Sequence, residues 1–479
     1  MKAIFKREVK SYFTGMIGWV VAAVSLFFLG LYYTNRNLLY ASSDFASVLY
    51  TMTMILLFLL PAISMRSFAE ERKNRTDQLL LTSPVSIPAI VAGKFLAEVA
   101  VFALPLAAAV LMPLILKAFG TVSLVAAYSA VLGYLLLGSA CLAVGTWISA
   151  LTENQILAYL ATFGALLVAY IMDGIQTMFT TGNLLAFIAF MVVVLIASIL
   201  VGVICKRLTA GVTVFCVGAV VLFILFRLRP AWLLTAFNAV LSALALFDPF
   251  QDIVGGMFSI PAIVYYLSVI GLFLFLTGQR WNAAVGIEEG YAMKKLNVKL
   301  PQGGSKRALH SGMYASALAV VVLAVIILVN LVIRALPTKY TEYDISTTSL
   351  FTLSDTTENL LHELNADVTA YYLAESGQED ANITRLLDRY AGESSHFSWQ
   401  QRDPVLYPTF AQQYDGASVG SVVLVCGDNS DVLSYNDMYE MDLESYYTTG
   451  TANYSFQAEN ALTSGIARSP ARRPTSCTS

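Results

Sequence analysis

The residues that most often carry catalysis are too scattered in this chain to form an active-site motif. The three histidines, His310, His362 and His396, do not have the spacing of a zinc site, and the five cysteines form neither a CxxC pair nor a disulfide framework. The sequence contains no GxxxxGKS/T phosphate-binding loop. The glycine-rich segment 303–306 lacks the spacing of such a loop and predicts a flexible linker. We therefore expect a chain that is not an enzyme and that holds no cofactor or metal itself.

One charged segment, residues 65–94, is the strongest candidate for a functional contact. Its sequence is MRSFAEERKNRTDQLLLTSPVSIPAIVAGK, and it separates two long apolar runs. The mixed charges at 70–75 predict a short helix, and the leucines at 79–81 add an apolar patch that a soluble partner could bind. An ordinary solvated loop is an equally good interpretation of these residues by themselves.

Two prolines divide this segment. Pro84 ends the first helical part, because the residue before a proline, here Ser83, is displaced from the helical conformation. Pro88 favours a new helix, since proline is well accepted in the first turn. We therefore expect a short charged helix, an exposed turn with an apolar face, and a second helix that enters the membrane.

The composition indicates the elements that hold this segment in place. The chain is 57% hydrophobic and only 13% charged, against about 25% charged residues in a typical soluble protein. A helix needs about 20 apolar residues to cross a bilayer, and about nine runs approach that length. They lie at 15–33, 46–65, 95–116, 122–150, 155–172, 184–205, 211–226, 259–278 and 312–333. The apolar segment 231–247 is interrupted by polar residues and predicts a re-entrant or surface segment.

The distribution of lysine and arginine predicts the orientation of the spans. With nine spans and a cytoplasmic N-terminus, basic residues favour the cytoplasmic side by about four to one. We therefore expect a multi-pass protein of a bacterial cytoplasmic membrane, with the run 15–33 retained as an anchor and segment 65–94 in the cytoplasm. Glu98 lies near the cytoplasmic end of the third span, where it either marks a pathway or sits at the membrane interface.

The polar part that follows the last span predicts a small extracytoplasmic α/β domain. Ser354 is a good helix cap, and the alternating sequence at 367–373 predicts a buried strand. A helix at 383–390 and strands at 397–400 and 421–425 complete a small layered fold. The basic sequence near the end suggests that the reading frame is lost near residue 464; a disordered tail is the simpler alternative.

Residues 70–86 resemble the coupling region of type-2 ABC exporter permeases. The residues that match its pattern in order are Glu70, Glu71, Arg72, Thr76, Leu79, Leu80, Leu81, Thr82, Ser83, Pro84, Val85, Ser86 and Lys94. In that family the segment sits in a groove of a separate ATPase subunit, which binds ATP and Mg²⁺, and transmits its closure to the spans. The resemblance implies that role here. The turn at Glu153 and Asn154 resembles a second, smaller cytoplasmic contact of the family, although a tight polar turn explains it equally.

Other stretches resemble the gliding-motility branch of these transporters. Residues 247–250, 263–277 and 280–281 are similar to the end of its permease, and residues 343–345, 351–354 and 367–375 are similar to its anchored extracytoplasmic auxiliary component. The two components would be fused in this chain. The extra spans around 184–226 depart from the family, and the auxiliary part is shorter than expected.

These resemblances imply a division of the chain into five parts. They are an ABC exporter permease domain (1–280), a cytoplasmic basic linker (281–311), a final anchor (312–335), an extracytoplasmic α/β auxiliary domain (336–464) and a disordered or out-of-family tail (465–479). The implied function is that of the permease subunit of an exporter, working as a dimer of permease units with an ABC ATPase subunit. The alternative is an ATP-driven mechanical complex that controls an envelope partner through its outer domain. Neither implies a nucleic-acid partner.

Overall fold

The computed structural model of the protein describes residues 1–40, 42–76, 85–179, 183–204, 208–228, 230–295, 304–334, 336, 341–345, 352–375, 379–404, 407–414, 417–427, 429–442 and 453–468. The predicted leucine patch 79–81 and the Ser83-Pro84 step lie outside these residues. The chain divides into two compact units, one of Met1–Tyr170 with Leu246–Thr348 and one of Ile171–Ala245 with Ser349–Ser479.

The first unit is a helical bundle. The helices that begin in it are α1 (Lys2–Thr14), α2 (Ile17–Tyr33), α3 (Ala46–Ser64), α4 (Ala69–Asn74), α5 (Ile87–Phe119), α6 (Leu124–Leu151), α7 (Gln155–Phe179), α11 (Asp248–Val254), α12 (Ile260–Lys295) and α13 (Gly304–Arg334). A π-helical turn, Thr34–Leu39, extends α2. Helix α6 packs closely against its neighbours, because its inner face carries glycines. A Cβ at Gly138 would collide with the Phe102 ring of α5, and one at Gly145 would collide with Ser64 of α3.

The helices account for the predicted membrane runs. Within the described residues, seven helices are long and apolar enough to cross a bilayer: Ile17–Leu39, Ala46–Asn74, Ile87–Phe119, Leu124–Leu151, Gln155–Met172, Gly211–Leu228 and Ile260–Trp281. Two shorter apolar helices, Ala186–Leu195 and Leu318–Ile333, coincide with the remaining two of the nine runs. The chain is therefore a multi-pass helical membrane protein, as its composition predicts.

A short antiparallel ladder closes one end of the bundle. Strand β1 (Met257–Ser259), which precedes α12, pairs with β2 (Glu342–Asp344), which follows α13 in the chain. The pairing continues past the strands, since the amide of Ile345 donates to the Gly256 carbonyl at 2.8 Å. The hydroxyl of Ser123, the N-cap of α6, also donates to the Ile345 carbonyl at 3.3 Å. The segment that leads into the polar part is thus bonded to the ends of two other elements.

The second unit contains three apolar helices and the polar α/β part. The helices are α8 (Asn183–Ile204), α9 (Leu208–Leu228) and α10 (Pro230–Leu244). The segment 231–247, which we expected to be re-entrant or superficial, is therefore mostly helical; its depth in the membrane stays a prediction. Phe237 and Leu241 of α10 pack with Met172 and Ala186 in a small buried cluster.

The polar part forms a mixed sheet with helices packed on it. Its elements are α14 (Asp355–His362), β3 (Val368–Leu373), α15 (Ala381–Glu393), β4 (Phe397–Arg402), α16 (Pro408–Gln412), β5 (Val422–Cys426), β6 (Asn429–Leu433), α17 (Tyr435–Met438), β7 (Tyr439–Asp442), β8 (Asn453–Phe456) and α18 (Ala458–Arg468). Four strands lie in the order β4-β3-β5-β6, with β3 and β4 parallel, and β7 pairs with β8. The Ser354 hydroxyl accepts the Thr357 amide at the start of α14, as predicted. The small α/β domain is therefore confirmed.

Candidate functional site

A buried lysine lies at the centre of the candidate site. Lys94, on α5, has a side chain that is only 1% exposed. Its Nζ lies 2.8 Å from the Ser67 carbonyl oxygen, 3.0 Å from Glu71 Oε1 and 3.2 Å from Glu8 Oε1. An ammonium group has three hydrogens to donate, and three acceptors surround this one. Lys94 therefore joins α1, the turn before α4, and α4 itself to the membrane helix α5.

The start of α4 is capped by a residue from another helix. Phe68, the residue that precedes α4, has no side chain that could cap this helix. Instead, Ser149 of α6 accepts the amides of Phe68 and Ala69, each at 3.1 Å, and its hydroxyl donates to the Met65 carbonyl at 3.2 Å. A serine oxygen at a helix N-terminus satisfies amides that have no partner within the helix. The position of α4 is thus fixed by α6.

Two further contacts hold α4 against the bundle. Arg72 Nη1 donates to the carbonyl of Ala150 at 3.0 Å, close to the end of α6. The Phe68 ring lies 4.9 Å from the ring of Trp281 on α12, and both side chains are buried with Val91 of α5. The short charged helix is therefore attached to α5, α6 and α12 together.

The N-terminal helix α1 lies against the same cluster. Arg7 Nη2 contacts Glu8 Oε1 at 2.6 Å and Glu71 Oε1 at 2.8 Å. Burial of the Glu8 carboxyl acts to raise its pKa, but the charges of Lys94 and Arg7 outweigh this effect and hold the pKa below its usual value. Arg66 also pairs with Glu70 and donates to Ser11 of α1 at 3.1 Å.

One turn of α5 beyond Lys94, a carboxyl group is fully enclosed. Glu98 is 0% exposed, so the structure buries it in protein. Its Oε2 lies 2.8 Å from the hydroxyl oxygen of Thr146 on α6. Its Oε1 and the Ser67 hydroxyl are both buried and have no hydrogen-bond partner within the described part of the chain. A polar layer thus continues from Lys94 into the bundle.

The site residues that were predicted in the segment 70–84 fall into three groups. Glu70, Glu71 and Arg72 lie on the short helix that their charges predict, but Glu71 is largely buried rather than solvated. Thr76 closes this helix, since its amide donates to the Glu71 carbonyl at 2.9 Å. Leu79, Leu80, Leu81, Ser83 and Pro84 lie outside the described residues.

The second predicted contact is an exposed turn between α6 and α7. Glu153 is exposed, and the Asn154 side chain accepts the amide of Ile156 at 2.9 Å, so Asn154 caps the start of α7. The turn begins two residues after Ala150, the residue bound by Arg72. The structure therefore brings the α4 segment and this turn to the same end of the bundle.

Three residues of this site were not predicted from the sequence. Ser149 is a single hydroxyl in an apolar helix and lies about 80 residues from its partners in α4. Glu8 belongs to a basic amphipathic segment, where one acid carries no recognisable signal. Thr146 has the appearance of an ordinary membrane-helix residue. Only the folded chain brings them to Lys94, Ser67 and Glu98.

Part of the chain that contains this site matches a known family. Residues 29–175 match the family model described as ABC-2 family transporter protein. The matched range includes α3 to α6 and much of α7, and so contains α4, Lys94, Ser149 and the turn at Glu153. The match supports an ABC-2 type permease in this part of the chain. No curated protein and no solved structure matched the chain.

Proposed function

We propose that this chain is the transmembrane permease subunit of an ABC-type exporter, in which α4 and the segment after it receive work from a separate ATPase subunit. The observation that carries the proposal is the attachment of α4. Through Lys94, Ser149 and Arg72 it is bonded to two of the longest membrane helices, α5 and α6. A displacement of α4 would therefore pull directly on the spans.

The direction of α5 supports the same function. It begins at Ile87, six residues after the last of the leucines at 79–81, and continues as one helix to Phe119. The leucines at 79–81 lie between α4 and α5 in the chain. A partner that binds them would therefore be connected to both helices. We expect its ATP-driven closure to act on both elements together. ATP and Mg²⁺ would be held by that partner.

Loss of the apolar contact tests this assignment. We expect Leu80→Asp to abolish co-purification of the cognate ATPase subunit, because a charge would be buried in the groove, while the protein still inserts into the membrane. Leu336→Asp is a suitable control, since Leu336 is exposed beyond the last membrane helix. Undiminished association of the Leu80→Asp protein would refute the contact.

A second function is favoured by a different observation, the ladder between β1 and β2. This ladder bonds the segment that follows the last membrane helix to the strand before α12, and Ser123 of α6 joins it. A movement of the helices would pass through this ladder into the segment that leads to the polar domain. We therefore keep as the second candidate an ATP-driven complex that acts on an envelope partner through its outer domain. A dimer of permease units serves either function.

A further inference from the structure

The carboxyl group of Glu98 is buried without a countercharge. Within the described part of the chain, no basic group lies at ion-pair distance from it. Lys94 is one turn away on the same helix, but its three donors are occupied by Ser67, Glu71 and Glu8. An ionised carboxylate enclosed by protein without a paired charge is strongly destabilising. A neutral carboxyl group therefore accounts for the complete burial of Glu98, whereas a carboxylate would need a countercharge.

The hydroxyl of Thr146 can pair with either form of Glu98. Its Oγ1 lies 2.7 Å from the Leu142 carbonyl oxygen and 2.8 Å from Glu98 Oε2. A hydroxyl has one hydrogen, and a carbonyl oxygen can only accept. When Thr146 donates to Leu142, as threonines in helices commonly do four residues back, its lone pairs face Glu98. In that arrangement the 2.8 Å contact is a hydrogen bond only if Glu98 Oε2 carries a proton, whereas an ionised Glu98 would take the Thr146 hydrogen itself.

The second oxygen of Glu98 faces the turn before α4. The Ser67 hydroxyl interacts with the Glu98 carboxyl, although neither Glu98 Oε1 nor Ser67 Oγ completes a hydrogen bond. The carbonyl of the same serine binds Lys94. Ser67 therefore touches both buried ionisable groups, and a small shift of this turn would change the contacts of each.

We propose that Glu98 is a proton-binding site, in which the neutral acid donates to Thr146 and Ser67 waits as the donor that would stabilise the carboxylate after the proton leaves. The ligand is a single proton, and no other bond is made or broken. The titratable groups that face Glu98 are Lys94 on its own helix and Tyr12 and Glu8 on α1.

The position of Ser67 connects this site to the proposed exporter function, on which the following expectation rests. Because Ser67 begins the turn into α4, movement of α4 would bring its hydroxyl toward Glu98 or away from it. Proton affinity and ATPase binding would then be linked, and each would change the other by the same factor. A working movement of α4 would then release or take up protons at Glu98, with one proton per movement as the upper limit.

Infrared spectroscopy of the full-length protein in lipid nanodiscs tests the proton itself. The carbonyl stretch of a protonated carboxyl group absorbs at a higher frequency than the bands of a carboxylate. At pH 7 we expect the wild type to show such a band and Glu98→Gln to lose it. The same band should persist in Glu153→Gln, because Glu153 is exposed. A wild-type spectrum without the band, or a band that survives in Glu98→Gln, would overturn the proposal.

A second variant keeps the test informative if Glu98→Gln folds poorly. Thr146→Val preserves the shape of the side chain but removes the acceptor, so the band should remain and move to higher frequency. An unmoved band would overturn the pairing with Thr146. Repeating the measurement with the ATPase subunit bound, with and without ATP, tests the link to α4. If no complex forms, the exporter proposal fails while the band of the free protein still decides the proton site.

Discussion

At the scale of single residues, Lys94 is the most constrained group of the site. Its side chain is almost fully enclosed, and it offsets the charges of two carboxylates on different helices. Replacement by methionine retains most of the volume but removes the buried cation from Glu8 and Glu71, which keep only the more exposed Arg7 among the cations of the described residues. Removing one partner of a buried ion pair costs about 3 kcal/mol or more. We expect Lys94→Met to lose about that much free energy of unfolding, measured by reversible unfolding in mixed micelles.

The neighbouring lysine gives a matched control for this experiment. Lys73 lies on α4 and is exposed, so Lys73→Met should leave the free energy of unfolding nearly unchanged. If the Lys94→Met and Lys73→Met proteins were equally stable, Lys94 would not join the helices as described. Association with the ATPase subunit should weaken in Lys94→Met as well, because α4 would lose one of its attachments.

Ser149 allows a finer test of how α4 is held. In Ser149→Ala the amides of Phe68 and Ala69 lose their acceptor, which for a helix cap costs about 1 kcal/mol. We expect hydrogen exchange at these two amides to accelerate by about fivefold. Ser139→Ala is the control, since Ser139 lies on the same helix and only donates to its own helix at Leu135. Equal exchange in the two variants would contradict the capping role.

These residues also show where sequence reasoning stops. The charges at Glu70 and Arg72 predict a short helix because local spacing is enough to decide it. Ser149 could not be connected to this helix, since its contacts are made across about 80 residues of chain. The burial of Glu71 could not be predicted either, because it depends on Arg7 and Lys94 arriving from two other helices. Local pattern predicts elements, whereas contacts between distant segments decide which charges are solvated.

At the scale of elements, an apolar run and the helix that contains it can begin at different residues, because different physical effects determine the two starts. The third apolar run begins near residue 95, but α5 begins at Ile87, with proline in its first turn. Apolar length determines which residues can cross the bilayer. The start of the helix is determined by backbone chemistry, so α5 carries Lys94 within its helical part and not in a preceding loop. Strand β3 was predictable because the alternation of its residues largely coincides with their burial.

The attachment of α1 gives a prediction that depends on pH. In the folded protein the pKa of Glu8 lies below the usual value of 4.5, so its ionised form stabilises the fold. That contribution is complete above this pH and is lost as the pH falls below it. We therefore expect the thermal midpoint of the wild type to fall more steeply between about pH 5 and pH 3 than that of Glu8→Gln.

Comparison of the two proteins reports the coupled pair of Glu8 and Glu71. Arg7, Lys94 and Glu71 face position 8 in both proteins, but the charge of Glu8 acts to raise the pKa of Glu71, so the difference between the two curves contains both carboxyl groups. At neutral pH, Glu8→Gln should already be the less stable protein. Parallel curves over the acidic range would show that α1 is not held through the Glu8 carboxylate. Glu153→Gln, at an exposed position, should follow the wild type throughout.

At the scale of the whole molecule, two attachments lie at opposite ends of the helix α6. At its C-terminal end, Ser149 and Ala150 bind the α4 segment. At its N-terminal end, Ser123 binds Ile345, next to the ladder of β1 and β2. A 28-residue helix is thus bonded at one end to the proposed ATPase contact and at the other to the segment that leads into the outer domain. A movement of α6 along its axis would reach both ends.

Flexible insertions can separate an exporter from a mechanical device. A glycine-serine linker placed after Ile345 lies beyond the ladder, so it would lengthen the chain between β2 and the outer domain. The same linker placed after Leu336 lies before the ladder and leaves the chain between β2 and the outer domain unchanged. If the outer domain is driven mechanically, ATP should change its protease sensitivity in the wild type and in the Leu336 insertion but not in the Ile345 insertion. ATPase association should survive in all three. An ATP response that persists after the Ile345 insertion would exclude transmission through the ladder.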